Sequence, residues 1–176
     1  MKPKNPKTVG GFTLIEMIIV IAIIGILAGL VLRETFVFQS SARDTRRIGD
    51  LKNTQNFLEL YFNACGHYPG ITDTNSPCSG GAVTSWEGSA GSLASELMSA
   101  NVISGSSVLP NDPLTSQNYT YAVSSNGLSY MLGAQLENQN NVLSNNAVSP
   151  QGVTFNPSMS QCTNPATKNF YCITSQ

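Results

Sequence analysis

Glu16 stands inside the stretch "VGGFTLIEMIIVIAIIGILAGLVL", residues 9–32, and is its one charged side chain. From Phe12 to Leu32 the chain runs 21 residues that are nearly all apolar. A carboxylate near the start of such a run is costly to bury alone, because an unpaired ion loses its hydration. The chemistry expected of Glu16 is therefore pairing with a cation. The simpler alternatives are snorkelling to an interface or protonation. The second reactive set is Cys65, Cys78, Cys162 and Cys172, all beyond the apolar run. An even number of cysteines in a non-cytosolic domain reads as two disulfides. Three pairings are open. Sequence proximity favours Cys65 with Cys78 and Cys162 with Cys172, each loop adding roughly 3 kcal/mol by chain entropy.

Other chemistry is poorly supplied. The cysteines lack CxxC spacing, and the only histidine, His67, has no partner at ligand spacing, so no metal site is read here. His67 reads as a surface or packing residue. A nucleophile with its base, a catalytic carboxylate pair and a glycine-rich phosphate loop are all missing, which points away from an enzyme.

These residues need elements to hold them. Twenty-one helical residues span roughly 32 Å, enough to cross a bilayer core. Lys2, Lys4 and Lys7 precede the run and a polar, cysteine-bearing region follows, which orients the N-terminus toward the cytoplasm. A secretory signal peptide needs small residues at its cleavage site, and the best candidate, Ile26-Leu27-Ala28, has a bulky one. A simple signal anchor is allowed, but neither reading accounts for Glu16 or for Gly10-Gly11. Gly25 and Gly29 form a GxxxG that permits close helix–helix approach in lipid.

No proline occurs between Pro6 and Pro69. From Arg33 to Asn63 the residues Val37, Ile48, Leu51, Leu58 and Phe62 fall near one helical face, with Phe57 and Tyr61 beside them. Asp44 with Arg47 and Arg46 with Asp50 have helix-pair spacing and predict a solvated opposite face. Arg43, Arg46 and Arg47 are interleaved with acids, so they read as that charged face rather than as a phosphate site. One helix from Phe12 to about Asn63 would be roughly 78 Å long.

Beyond Cys65 the only positive side chain is Lys168, against Asp73, Glu87, Glu96, Asp112 and Glu137. That mildly acidic region, rich in Ser, Asn, Thr and Gly, has no basic face for nucleic acid. Ser92 to Asn101 predicts a short helix, with Leu93 and Leu97 on one face. "YTYAV" and "LSYMLGA" alternate around Asn126-Gly127 and predict a hairpin. "FYCIT", residues 170–174, predicts a third strand, and the stretch from Gln135 to Asn169 a long surface loop. Asn118-Tyr119-Thr120 matches the glycosylation acceptor, a pattern short enough to arise by chance. An antiparallel sheet laid on the amphipathic half of the long helix buries both apolar stripes.

"GGFTLIE" after a short lysine-bearing leader resembles the cleavage site of the type IV pilin family, which includes the pseudopilins of type II secretion. "ARDTRRIGDLKNTQNFLELYFNACGHYP" is similar to the major pseudopilins through Ala42, Asp50, Leu58, Tyr61, Tyr68 and Pro69, and "LPNDP" continues the likeness. The resemblance is strong to Pro69, loose through the hairpin, and fades beyond Glu137. It implies that a prepilin peptidase cuts between Gly11 and Phe12 and that the new Phe12 amine is methylated. Loss of three lysines takes the net side-chain charge from −1 to −4. It further implies that Glu16 of one subunit pairs with the Phe12 amine of a neighbour and sets the register of assembly. The chain departs at Arg33, where many members carry proline, so their helix kink is not implied.

The fold that follows is α+β and type IV pilin-like: a long N-terminal transmembrane and amphipathic helix packed on a small antiparallel β-sheet head. Its parts are a leader (1–11), a long helix (12–63, with 12–32 in the membrane or filament core and 33–63 amphipathic), and an extracytoplasmic head (64–176) with two disulfides. The implied function is a structural pilin, first in the cytoplasmic membrane and then in an extracellular or periplasmic homopolymer, with an assembly platform and minor pilins as partners. The alternatives are a secretion pseudopilin, a competence pilus subunit, or an anchored binding domain that never polymerises. The pseudopilins also imply calcium in an aspartate-bearing loop after the sheet. "LGAQLENQNN" has Glu137 but no aspartate, so that site is not carried over and no cofactor is expected. Asn138, Asn140 and backbone carbonyls leave room for a weak calcium site only.

Overall fold

A computed structural model describes residues 11–75, 77–78, 80–88, 91–104, 109–139, 143, 154–156, 162 and 169–175, with residues 31–37 and 155–156 described in backbone alone. The leader lysines, Gly10, Asn140 and Lys168 lie outside the described residues. The chain divides into two compact units, residues 1–39 and 40–176.

With no proline to interrupt it, helix α1 spans Leu14–Cys65, 52 residues. Its end, Cys65, falls two residues beyond the expected Asn63, just before Gly66. There a φ of 75° and the bond from the Gly66 N–H to the Phe62 carbonyl (2.7 Å) close the last turn in the left-handed form glycine favours. In the first unit every residue from Gly11 to Leu30 is exposed. Among the described residues no helix is long and apolar enough to cross a membrane. The helical side chains described there run from Leu14 to Leu30, about 25 Å of helix, which is less than a bilayer core of about 30 Å.

The second unit has a core of its own. On α1, Leu51, Leu58 and Tyr61 are buried, and they join Leu93 and Leu97 of the short helix α2 (Leu93–Ser99). Each buried leucine contributes about 1.5–3 kcal/mol. Helix α2 starts where sequence predicts, with Ser92 and Ser95 exchanging side-chain and backbone bonds in a capping box. The sheet consists of β1 (Thr120–Ser124), β2 (Tyr130–Gln135), β3 (Phe155–Asn156) and β4 (Phe170–Thr174), all antiparallel, in the order β3-β1-β2-β4. The architecture is α+β.

The hairpin forms where Asn126-Gly127 predicts it. The turn hydrogen bond runs from the Gly127 N–H to the Ser124 carbonyl (2.9 Å), and Gly127 takes a φ of 69°. A Cβ at Gly127 would stand 2.6 Å from Ile71 Cγ1, so the hairpin tip packs directly against the chain leaving α1. Strand β3 falls where the sequence predicts a loop, because two residues are too few to leave an alternating pattern. The sheet is also buried on both faces rather than one. Tyr121, Tyr130 and Leu132 face the main core, while Ala122 and Met131 pack with Cys162, Phe170 and Cys172.

Helix acids anchor tyrosines of the head, one of them in the sheet. Asp50 accepts the Tyr119 hydroxyl at 2.7 Å, and Glu59 accepts those of Tyr68 (3.1 Å) and Tyr130 (3.3 Å). A buried phenol needs such a partner, and this pairing fixes which face of α1 meets which strand.

Candidate functional site

Two sites carry the polar chemistry, one in each unit. At the N-terminal site Phe12 is 80 % exposed and Glu16 lies in the first turn of α1. Thr13 and Glu16 form a reciprocal cap. The Thr13 N–H and the Thr13 hydroxyl both donate to Glu16 Oε2 at 2.8 Å, and the Glu16 N–H donates to Thr13 Oγ1 at 3.3 Å. The T-x-x-E spacing within "GGFTLIE" is the sequence signal for this helix start. Only Oε2 takes part in these bonds. Gly25 and Gly29 both face open space, so the helix surface beside them admits close approach.

The second site lies where the reading of α1 needs correction. The Asp44–Arg47 pair was expected on a solvated face, yet both side chains are 0 % exposed. Periodicity could not reveal this, because the elements that cover the pair come 65 to 94 residues later in the chain. Arg47 is the hub. It donates through Nη1 to Asp44 (2.9 Å) and Glu137 (2.8 Å), and through Nε and Nη2 to Asp112 (2.7 and 2.9 Å). Arg43 grips Glu137 with Nε (2.7 Å) and Nη2 (2.6 Å). Asp44 accepts the backbone N–H groups of Glu137 (2.8 Å) and Asn138 (3.0 Å) and the Asn138 side-chain amide (2.9 Å). Arg46, by contrast, pairs with Asp50 at 3.6 Å on the exposed side, as its spacing predicts.

The electrostatics follow from these contacts. The Arg43 hydrogen bond, with that of Arg47, holds the Glu137 carboxyl down at about 2 despite some desolvation. Burial works against the charge of Arg47, but the bonds from Asp112 and Glu137 outweigh it and raise its pKa. Such a network binds segments in one register; it has neither an open coordination position nor a free base.

Cys65 pairs with Cys78 and Cys162 with Cys172. His67 lies between the Tyr68 carbonyl (3.0 Å) and Asp73 Oδ2 (3.2 Å), an anchor for the turn after α1. Among the described residues no group of His, Cys, Asp and Glu is placed to hold a metal ion.

The model of the prokaryotic N-terminal methylation motif matches residues 6–32. The chain therefore carries a prepilin-type N-terminus, one that spans Gly11, Phe12 and Glu16. It is also similar to the type II secretion system core protein G of Escherichia coli (strain K12), with 37% identity over 59 residues, 34% of this chain and 41% of that protein. The motif and this likeness both support a kinship with the type IV pilins and pseudopilins. The match spans less than half the length of that curated relative. No solved structure matches.

Proposed function

We propose that this chain is a subunit of a type IV pilus-like filament, with the fold of a pilin. In this reading a prepilin peptidase removes residues 1–11 and the Phe12 amine is methylated. The run from Phe12 to Leu32 then holds the subunit in the cytoplasmic membrane, N-terminus inward, until an assembly platform and minor pilins draw it into a homopolymer outside that membrane. The observation that carries the reading is the first unit's surface. From Gly11 to Leu30 it is exposed throughout, immediately after the cleavage motif, while the second unit has a closed core. Exposed apolar helix of that extent requires lipid or copies of itself.

Glu16 sets the register. An ammonium on Phe12 and a carboxylate on Glu16, both out of water, are stable there only as a pair. Within one chain the Thr13 cap engages Oε2, and the neighbour's amine is the cation that completes the carboxylate's pairing. Intact mass and N-terminal sequence of the membrane-extracted native protein are the direct test. A chain starting at methylated Phe12 supports the reading; an intact Met1 or a cut beyond Ala28 overturns it. Glu16→Ala leaves processing and membrane insertion intact and abolishes filaments, and normal filaments from that variant would remove the pairing.

A second reading, the pseudopilus of a type II secretion system, is favoured by the likeness to the secretion core protein of Escherichia coli. The subunit chemistry is the same in both, and the destination of the filament differs.

A further inference from the structure

The secretion pseudopilins that this chain resembles imply a calcium ion in the loop after the sheet. The residues here do not fit that ion. Calcium takes six to eight oxygen ligands, mostly carboxylates and carbonyls. The acid of the loop, Glu137, already accepts two bonds from Arg43 and one from Arg47. Both oxygens of Asp44 and both of Asp112 also have donors, among them the Leu114 N–H on Asp112 Oδ1 (2.8 Å). Asn138 has turned its amide nitrogen toward Asp44 and Ser40, as a donor. A dication approaching these oxygens would meet two guanidiniums already within hydrogen-bond distance of them. Arginine's planar fork suits this task, since one side chain can bridge several carboxylates in fixed directions.

We propose that Arg43 and Arg47 do the work a calcium ion would do: they clamp the loop after β2 to helix α1, and the head folds without divalent cations. The clamp joins a helix face to the chain leaving the sheet, and its positive charge is covalently part of α1. The head's integrity is then indifferent to the calcium content of the compartment it enters. This inference is independent of the filament reading, because neither readout below needs assembly.

The test uses the full chain in detergent, unfolded thermally in millimolar calcium and again in excess EGTA. Midpoints that agree within about 1 °C are expected, and Arg43→Gln lowers both equally by about 3–6 °C. Arg43 is the milder variant because it is 30% exposed at its side chain. Amide exchange supplies the second measurement: the Glu137 and Asn138 N–H groups stay protected in EGTA in the parent and lose protection in Arg43→Gln. A parent midpoint that falls by several degrees on chelation and recovers with calcium overturns the proposal. So does an Arg43→Gln chain whose midpoint and loop protection are unchanged.

Discussion

The two units solve opposite problems. From Gly11 to Leu30 the chain has apolar surface in excess and one carboxylate, and that carboxylate is satisfied within four residues by the Thr13 cap. In the head an apolar core is enclosed, the carboxylates Asp112 and Glu137 are satisfied by arginines distant in sequence, and Asp44 by Arg47 together with the distant Glu137 and Asn138 N–H groups. A locally satisfied acid leaves its element free to be used elsewhere. A distantly satisfied acid commits its element to one fold.

The comparison breaks most sharply at Arg47. Replacement by alanine leaves Asp44 and Asp112 buried without their counter-ion, a loss of about 3–5 kcal/mol. Denaturant unfolding of the full chain measures it, with Arg46→Ala as the exposed control costing under about 1 kcal/mol. Equal effects at the two arginines would erase the distinction between clamp and surface pair.

Glu137 gives the next effect. Its folded pKa, about 2, lies below the ordinary 4.5. The unfolded chain therefore takes up a proton first, and the stability Glu137 contributes is present above about pH 4.5 and lost as pH falls toward 2. The midpoint of the parent should decline through that window, and Glu137→Gln should flatten the decline. The smallest change belongs to the N-terminus. Thr13→Ala removes the cap, worth about 1 kcal/mol, so amide exchange at Glu16 should rise roughly fivefold while the head's midpoint stays unchanged.

Much of this architecture was legible in the residues. Pro69 and the absence of any earlier proline after Pro6 bounded the long helix, Asn126-Gly127 placed the hairpin, and Ser92 opened α2. "GGFTLIE" exposed the N-terminal chemistry because cleavage and capping are both local. The clamp was unreadable for the opposite reason. Helical spacing correctly pairs Asp44 with Arg47, but whether such a pair faces water depends on what arrives from Asp112 and Glu137, and no periodicity carries that information. The second face of the sheet was missed likewise, since Ala122 and Met131 gain their cover from Cys162, Phe170 and Cys172.

The reach of the clamp has a kinetic meaning. The Arg43–Glu137 contact closes a loop of 94 residues, and Arg47 closes loops of 65 and 90. Closing such loops is entropically slow, so contacts of this kind tend to form after the folding barrier has been crossed. A latch set late adds little to the speed of folding and much to the lifetime of the folded head. Weakening it should show chiefly as faster unfolding, with the refolding rate left nearly as it was.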